Sequence, residues 1–324
     1  MEPWLKAVAE AYLWLVACAL VLAMPSPSPL FSPDPAALLF ALALEAADFP
    51  ARWDNYLVSR LIPPRAHPVA LIYALGAFVM RRSRGVLGGV AVLAAVALPM
   101  TTAAIAFRAV RGDGIHWSLA EGYFLKLSFS ITHITYGCAW GYLKGEACWA
   151  VSQFVRRDLS TCRRELVNSA CIEAAAESLV DSYVSTLFWY GVMGLPGAWL
   201  QRSVNTADGL AGFKHHGPLG APSAYADTAL NWAPARAAAA LLLAASPKAP
   251  GALLHMSALP SLNARWPISA AAAAVGVGIE KEGAYRIPGP SPHEVDVANA
   301  LGVVHAAVAL WTLLLAVSLP LKLL

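Results

Sequence analysis

The sequence predicts an all-α, polytopic integral membrane protein with about five to seven membrane-embedded helices, because its composition is apolar and its apolar runs are long. Of 324 residues, 58% are hydrophobic and only 13% are charged, whereas soluble domains carry about 25% charged residues. A helix of about 20 apolar residues crosses a bilayer. Runs that approach this length lie at 8–24, 86–107 and 298–319. Shorter or more polar candidates lie at 36–47, 68–80, 122–143 and 182–200.

The distribution of basic residues predicts the topology. The formal net charge of +3 is small and scattered, which argues against a nucleic-acid partner and favours the lipid bilayer. Arginines concentrate at 81–84 and at 156–164, as they do in loops that stay in the cytoplasm. A helix at 86–107 that leaves the cytoplasm and one at 122–143 that returns place both clusters on that side. We therefore expect a multi-pass protein of the cell membrane.

Composition divides the chain into four regions. Residues 1–35 form an extra N-terminal helix with a Pro-rich linker, and residues 36–151 contain the first membrane helices. Residues 152–237 form a polar, motif-bearing region of helices and loops on the cytoplasmic side, with a broken membrane segment. Residues 238–324 contain an Ala-rich stretch, a Pro/Gly loop and a last membrane helix. The apolar start lacks a strongly positive flank and a well-placed cleavage site, so we expect an uncleaved helix and not a signal peptide.

The five cysteines give no sign of a metal site. Cys18, Cys138, Cys148, Cys162 and Cys171 show no Cys-x-x-Cys spacing and are odd in number. This pattern argues against a zinc site and against a complete set of disulfides. We interpret these cysteines as small core residues.

The stretch IEAAAESLVD at 172–181 places Glu173, Glu177 and Asp181 on one face of a helix, at steps of four residues. The solvated side of an amphipathic helix is one explanation, but no lysine or arginine pairs with the acids at that spacing. A cation would relieve their repulsion, and magnesium with a phosphate suits oxygen ligands. Because a membrane segment follows, we expect the acids at a membrane boundary, facing a polar cavity and not lipid.

The membrane segment at 182–200 contains Gly191, Gly194, Pro196 and Gly197. A full crossing would put the acids before it and the polar run QRSVNTADGLAGFKHH after it on opposite faces of the membrane. Broken helices are tolerated at membrane depth where protein surrounds them. We therefore predict a re-entrant or interfacial hairpin that brings both polar runs to the cytoplasmic side.

Several further motifs have plain structural explanations when taken one at a time. RRDLS at 156–160 is typical of a helix start, and VNTADG at 204–209 is typical of a tight turn. AYADTALNWAPAR at 224–236 is typical of a polar helix end with a snorkelling arginine. His67, in RAHPVAL, suits a helix start or the membrane interface. Each motif alone is therefore ambiguous.

Taken in order, however, the motifs resemble the CobD/CbiB family over roughly residues 36–305. The resemblance rests on HPV at 67–69, RRDLS at 156–160, EAAAESLVDS at 173–182, GLPGAW at 194–199, VNTADGLAGFKH at 204–215 and DTALNWAPAR at 227–236. SLNARWPISA at 261–270 keeps the family's Asn and Trp. The departures are Ser178 for Asn, Gly209 and Leu210 for Ser-Met, Thr228 for Asp, Ile268 for Glu, and a missing Gly-Gly before Tyr285.

The resemblance implies an adenosylcobinamide-phosphate synthase of cobalamin biosynthesis. Such an enzyme joins adenosylcobyric acid to (R)-1-amino-2-propanol or its phosphate, an amide ligation that uses ATP and Mg²⁺. The implied catalytic residues are Asp158, Glu173, Glu177, Asp181 and Asp208, of which Glu173, Glu177 and Asp208 would bind the metal. The implied substrate-binding residues are His67, Arg157, Asn205, Thr206, Lys214, Asp227, Asn231, Arg236 and Asn263. Other late cobalamin-biosynthesis enzymes are candidate partners, and the absence of a Walker-type sequence excludes a P-loop ATP site.

Two other functions remain open. A transporter of a small anionic or cobamide-related compound is one, because a broken helix beside intramembrane charges is typical of transporters. A non-catalytic homologue that scaffolds late cobalamin enzymes at the membrane is the other. The sequence shows no two similar halves, which argues against the transporter. It keeps nearly every acid of the polar region, which argues against the scaffold.

Overall fold

A computed structural model describes residues 2–48, 50–52, 55–56, 61–246 and 248–321. In this part of the chain the fold is all-α apart from two short antiparallel hairpins, as predicted. The helices are α1 (Pro3–Ala23), α2 (Pro35–Ala47), α3 (Pro68–Met80), α4 (Gly85–Val110), α5 (Ile115–Lys126), α6 (Thr132–Lys144), α7 (Ala147–Ser152), α8 (Arg164–Leu179), α9 (Ser185–Ala211), α10 (Ala221–Ala245), α11 (Arg265–Val275) and α12 (Glu294–Leu321). The hairpins pair β1 (Pro50–Arg52) with β2 (Asn55–Tyr56), and β3 (Ile279–Lys281) with β4 (Tyr285–Ile287).

Within the described residues, four helical segments are long and apolar enough to cross a membrane. They are Pro3–Ala23, Pro29–Ala47, Gly85–Val110 and Glu294–Leu319. α3 is also apolar but has only 13 residues. Exposed aliphatic side chains such as Leu13, Leu87 and Leu313 cover the outer faces of these helices, as expected of surfaces that face lipid. The multi-pass membrane architecture is therefore confirmed.

The segment predicted as one helix at 122–143 is two helices, α5 and α6. Glu45 of α2 explains the break. Its Oε1 accepts hydrogen bonds from the backbone N–H groups of Ile131 and Thr132, at 2.8 and 2.9 Å, where α6 begins. Lys126 at the end of α5 forms an ion pair with the same glutamate at 2.8 Å. A carboxylate stabilises a helix N-terminus, and this one comes from a distant part of the sequence.

The predicted hairpin is present in α9. α8 continues through a π-helical turn (Val180–Val184) into α9, which breaks at Met193 and Gly194. Thr186 on the first limb donates a hydrogen bond to Gln201 on the second, at 2.6 Å. A straight helix would separate these residues by about 22 Å. The chain therefore folds back on itself, and both limbs open at the same end.

The tip of this hairpin packs at the C-terminal end of α4. The hydroxyl of Tyr190, close to the tip, lies 2.9 Å from the backbone oxygen of Asp34 and 3.1 Å from Oε1 of Glu121, which are two acceptors for its one proton. Glu121 also forms ion pairs with Arg108, at 2.8 Å, and with Arg111. The buried network holds the tip in place, far from the open end of the hairpin.

α10 is the central helix and packs on α1, α9, α11 and α12. Its alanines at 237–240 are fully buried, and such small side chains let helices approach closely. Glu10 of α1 forms an ion pair with Arg236 at 3.2 Å. Trp14 of α1 packs edge-on against Trp232, with ring centroids 4.4 Å apart. The extra N-terminal helix is thus an integral part of the core.

The interpretation of the cysteines as unpaired core residues is wrong for four of the five. Cys138 is bonded to Cys171, which links α6 to α8, and Cys148 is bonded to Cys162. Cys18 is the free, buried thiol. The bonded partners are 33 and 14 residues apart, spacings that carry no local signature. Tertiary packing around α8 brings the sulfurs together.

Candidate functional site

Four carboxylates from successive elements converge at the open end of the hairpin. Glu177 comes from α8, Asp181 from the π-helical turn, Asp208 from α9 and Asp227 from α10; we call them the acid cluster. Burial raises the pKa of Asp181 well above its ordinary value, and the nearby charges of Asp227, Glu177 and Asp208 raise it further. The fold of α9 makes this possible, because it returns Asp208 to the level of Asp181.

Amide side chains hold the cluster in place. Asn205 and Asn231 both donate hydrogen bonds to Oδ1 of Asp227, at 3.2 and 2.8 Å. Gln201 donates to Oδ1 of Asn231 at 3.1 Å and to the backbone oxygen of Asp181 at 3.3 Å. The network spans both limbs of the hairpin and α10. It brings together three of the predicted substrate-binding residues.

Two members of the cluster titrate close to neutral pH. Burial and the neighbouring charge of Glu173 raise the pKa of Glu177 to about 7. Burial and the charge of Asp227 raise the pKa of Asp208 to about 6. Burial disfavours the charged form of a carboxyl group, and like charges add to the effect. The cluster can therefore hold protons at neutral pH, and an incoming cation would displace them.

Glu173 has protein cations of its own. Its carboxylate accepts hydrogen bonds from Arg157, from Lys281 at 3.0 Å and from Tyr285. Lys281 and Tyr285 belong to the β3–β4 hairpin, which lies over α8. The two glutamates thus differ, because Glu173 forms direct ion pairs and Glu177 forms none with the described residues.

A cavity of about 820 Å³ lies beside the acid cluster. Arg202 lines it and also lies near Asp181 and Asp227, whose charges it partly offsets. Lys126 and His67 line the cavity as well. Nδ1 of His67 accepts a hydrogen bond in the first turn of α3, so the residue both starts a helix and faces the cavity. One site therefore has an acidic side and a basic side.

Three residues that were predicted to belong to the site instead make local contacts or lie at the surface. Oδ1 of Asp158, an exposed residue, accepts a hydrogen bond from the backbone of Ser160 at 2.8 Å, which is a local turn. Lys214 is exposed in the 3₁₀ helix after α9. The hydroxyl of Thr206 donates to the backbone oxygen of Arg202 at 2.8 Å. None of these contacts reaches the acid cluster within the described residues.

Arg236 and Asn263 contact other parts of the core. The guanidinium of Arg236 lies 3.9 Å from the ring centroid of Trp232 and 4.9 Å from that of Trp266, and it pairs with Glu10. Asn263 donates to a backbone oxygen of α10 at 3.0 Å. The structure thus gives Arg236 a packing role away from the acid cluster.

Sequence reasoning missed Arg202, Lys126 and Gln201. A signal was present, because Lys126 falls inside the apolar run at 122–143 and Arg202 directly follows the one at 182–200. Ionisable residues at membrane depth are functional candidates by default. VNTADG, which taken alone is typical of a tight turn, continues the second limb of α9.

The residues present suit magnesium only in part. Among the described residues, no group of three or more His, Cys, Asp or Glu side chains is arranged as a metal site. The set Glu173, Glu177 and Asp208 does not fit, because Glu173 is occupied by protein cations. Asp208 and Asp227 provide the carboxylate oxygens that Mg²⁺ prefers when it also binds substrate phosphates. The donor chemistry therefore fits a magnesium ion that arrives with a phosphate.

Comparisons with known proteins connect this geometry to a family. A family model described as CobD/Cbib protein matches residues 51–316. Relatives named probable cobalamin biosynthesis protein CobD are 43% identical over 185 residues in Aeropyrum pernix and 34% identical over 266 residues in Pyrococcus abyssi. The first alignment covers 53% of this chain and 57% of the relative, and the second covers 79% and 90%. No solved structure matches the chain. This membrane protein therefore belongs to the CobD/CbiB family.

Proposed function

We propose that the protein is an adenosylcobinamide-phosphate synthase, which joins adenosylcobyric acid to (R)-1-amino-2-propanol or its phosphate by ATP-driven amide formation. The observation that carries the proposal is the meeting of the acid cluster and the basic cavity at Arg202. A ligase of this kind must hold a carboxylate, a positively charged amine and phosphate groups together. A site with side chains of both signs suits all three ligands.

The acid cluster would receive the amine. The substrate nitrogen arrives as an ammonium ion and loses two protons by the time the C–N bond has formed. Glu177, with its pKa of about 7, is suited to accept a proton near neutral pH. Asp181 beside it would accept a hydrogen bond from the ammonium group, whose positive charge favours the ionised form of the aspartate. Burial of both groups in the protein strengthens these interactions relative to water.

The other half of the reaction is loss of a carboxylate oxygen. ATP, with Mg²⁺, would supply the driving force by taking up that oxygen on a phosphoryl or adenylyl group. Asp208 and Asp227 would hold the metal, and Asn205 and Asn231 fix the orientation of Asp227. Each of these roles is part of the proposal.

The test is an assay of the purified, detergent-solubilised chain with adenosylcobyric acid, ATP and each amine. We expect an amide product, detected by mass spectrometry, that requires all three substrates. Glu177→Gln should reduce its formation at least about tenfold, because a proton acceptor is lost. Glu165→Gln is the matched control, since Glu165 is exposed at the start of the same helix.

Folded protein that forms no amide with either amine would overturn the proposal. Uptake of a corrinoid into vesicles by the same inactive preparation would then support the transporter. Equal loss of activity in Glu177→Gln and Glu165→Gln would indicate a general effect on the helix and not a role in the acid cluster.

A further inference from the structure

Resting on the proposed function, we infer that the cavity beside Arg202 binds the carboxylate-bearing substrate, and that Arg202 binds its free carboxylate directly. The proposed reaction alone does not say which of the two anionic substrates, the acid or the aminopropanol phosphate, meets the basic side of the site. The structure favours the acid for three reasons. Arg202 has no direct ion pair among the described residues, the cavity is large and partly apolar, and Arg202 lies next to the acid cluster.

Arg202 is a half-buried arginine without an ion-pair partner. Its Nε donates to the backbone oxygen of Ser128 at 2.6 Å, and its Nη1 donates to Oδ1 of Asn205 at 3.2 Å. Both acceptors are neutral. Among the described residues, Nη2 donates no hydrogen bond and no carboxylate lies within ion-pair distance. A guanidinium that is held at two nitrogens and keeps a third available is ready to receive an oxyanion.

Lys126 differs in this respect. Its Nζ forms ion pairs with Glu45 at 2.8 Å and with Asp48 at 3.0 Å, so two carboxylates already neutralise it. Among the described residues, Arg202 is thus the arginine of the cavity that has no direct ion pair, although Asp181 and Asp227 lie close enough to offset part of its charge. Lys126 instead fixes the wall of the cavity by holding α2 against α5.

The size and lining of the cavity favour a large, partly apolar ligand. Its volume is about 820 Å³, and apolar side chains such as Tyr73, Phe129 and Ile134 cover much of its wall. Ligand pockets of this volume bury most of a drug-sized molecule. An aminopropanol phosphate would leave most of the space empty and would gain little from the apolar wall. The part of a corrinoid that carries the reacting carboxylate would use both the volume and the charge.

The position of Arg202 also suits the reaction. The cavity includes Ser178 and Ser182, each next in sequence to a member of the acid cluster. A carboxylate bound at Arg202 would therefore lie beside the amine that the acid cluster receives. The two reacting groups would meet at the boundary between the basic and acidic sides of the site.

Binding without turnover tests this inference. The full-length chain in detergent, without ATP, is titrated with adenosylcobyric acid, with the same corrinoid whose reacting carboxylate is capped as an amide, and with aminopropanol phosphate. We expect the parent to bind the acid at least tenfold more tightly than the amide. Arg202→Gln should weaken binding of the acid by about ten- to a hundredfold and leave the other two ligands unchanged, because hydrogen bonds to charged groups are lost.

A second pair of variants tests the cavity without removing a charge. Ala70 lines the cavity, whereas Ala74 is exposed one turn further along α3. Ala70→Trp adds bulk inside the cavity and should weaken binding of both corrinoids at least tenfold. Ala74→Trp adds the same bulk outside the cavity and should leave binding as in the parent. This pair keeps the test valid even if Arg202→Gln does not fold.

The outcomes separate this inference from the proposed function. Weaker binding of aminopropanol phosphate, but not of the acid, in Arg202→Gln would overturn the inference and assign the cavity to the phosphate. Unchanged corrinoid binding in Ala70→Trp would also overturn it. In either case amide synthesis by the parent would still support the ligase. Selective binding of the acid by a parent that forms no amide would support the inference and contradict the ligase.

Discussion

Glu173 and Glu177 lie one turn apart on the same face of α8, yet their surroundings differ. Glu173 is held by Arg157, Lys281 and Tyr285. Glu177 has no ion pair among the described residues, and burial with the charge of its neighbour raises its pKa to about 7. A four-residue spacing in the sequence therefore predicted a shared face correctly, but it could not show that a distant β-hairpin would neutralise one of the two acids.

The raised pKa of Glu177 predicts a pH dependence of stability. In the unfolded chain the pKa of this group is near its ordinary value of 4.5, and in the folded protein it is about 7. Between these values the folded state binds more protons than the unfolded state, so the free energy of unfolding falls as pH rises. We expect the melting temperature in detergent to decrease from about pH 5 to about pH 8, with Glu177 contributing on the order of 1 to 3 kcal/mol.

Glu177→Gln should make this slope shallower, because glutamine cannot titrate, while Asp181 and Asp208, whose pKa values are also raised, keep part of it. Glu165→Gln should keep the slope of the parent. A Glu177→Gln variant whose melting temperature falls with pH as steeply as that of the parent would show that the pKa of Glu177 is not the cause.

Asp208→Asn separates a chemical role from a structural one. Because burial raises the pKa of Asp208 to about 6, removing its charge should leave the melting temperature unchanged or slightly higher. Amide formation per folded molecule should fall at least about tenfold, as for loss of a group that acts on the reacting atoms. The control is Asp113→Asn, at an exposed position. Full specific activity with reduced folded yield would make Asp208 a structural residue.

At the scale of elements, the chain reverses in α9 at a glycine in a left-handed conformation. Gly194 has a φ of 60° and a ψ of −155°, a region open almost only to glycine. A Cβ atom there would lie 2.9 Å from the backbone oxygen of Ser32. Gly194→Ala should therefore destabilise the protein by about 1 to 3 kcal/mol, measured as a lower melting temperature in detergent.

Gly302→Ala is the matched control for that change. Gly302 lies within α12, and an added Cβ there meets no atom within 4 Å. Alanine favours a helix over glycine by up to about 1 kcal/mol, so this variant should be as stable as the parent or slightly more stable. Equal stability of the two variants would show that the turn at Gly194 tolerates a side chain.

The sequence predicted some elements well and others poorly, for physical reasons. Long apolar runs predicted the bounds of α1, α4 and α12 to within a few residues, and the glycines and proline of α9 predicted the hairpin. Both signals are local in the sequence. The break between α5 and α6 depends on Glu45, and the disulfides depend on packing around α8. Arg202 was missed because its importance comes from the cavity that other elements build around it.

At the scale of the whole molecule, α1 lies outside the family match at 51–316 yet contacts a residue of a family motif. Arg236 was predicted to bind substrate, but α1 supplies Glu10 as its partner and two tryptophans cover it. We expect Arg236→Gln to destabilise the protein by about 1 to 3 kcal/mol, because a buried charge-assisted contact and cation–π packing are lost.

The same variant should keep the parent's KM for both substrates. Glu10→Gln should lower stability by about 1 kcal/mol or less, since Glu10 is partly exposed, and should also leave KM unchanged. A raised KM in Arg236→Gln with an unchanged melting temperature would indicate that Arg236 binds substrate.

The returning hairpin also determines where the last helix ends. α12 begins beside α8, where Glu294 pairs with Arg164 at 3.2 Å, and Leu319 near its other end lies against Gly191, close to the hairpin tip. α9 thus reverses within the protein, while α12 traverses its full height. A reporter enzyme inserted in the 214–219 segment should be active on the same membrane face as the arginines at 156–164. One fused after α12 should be active on the opposite face.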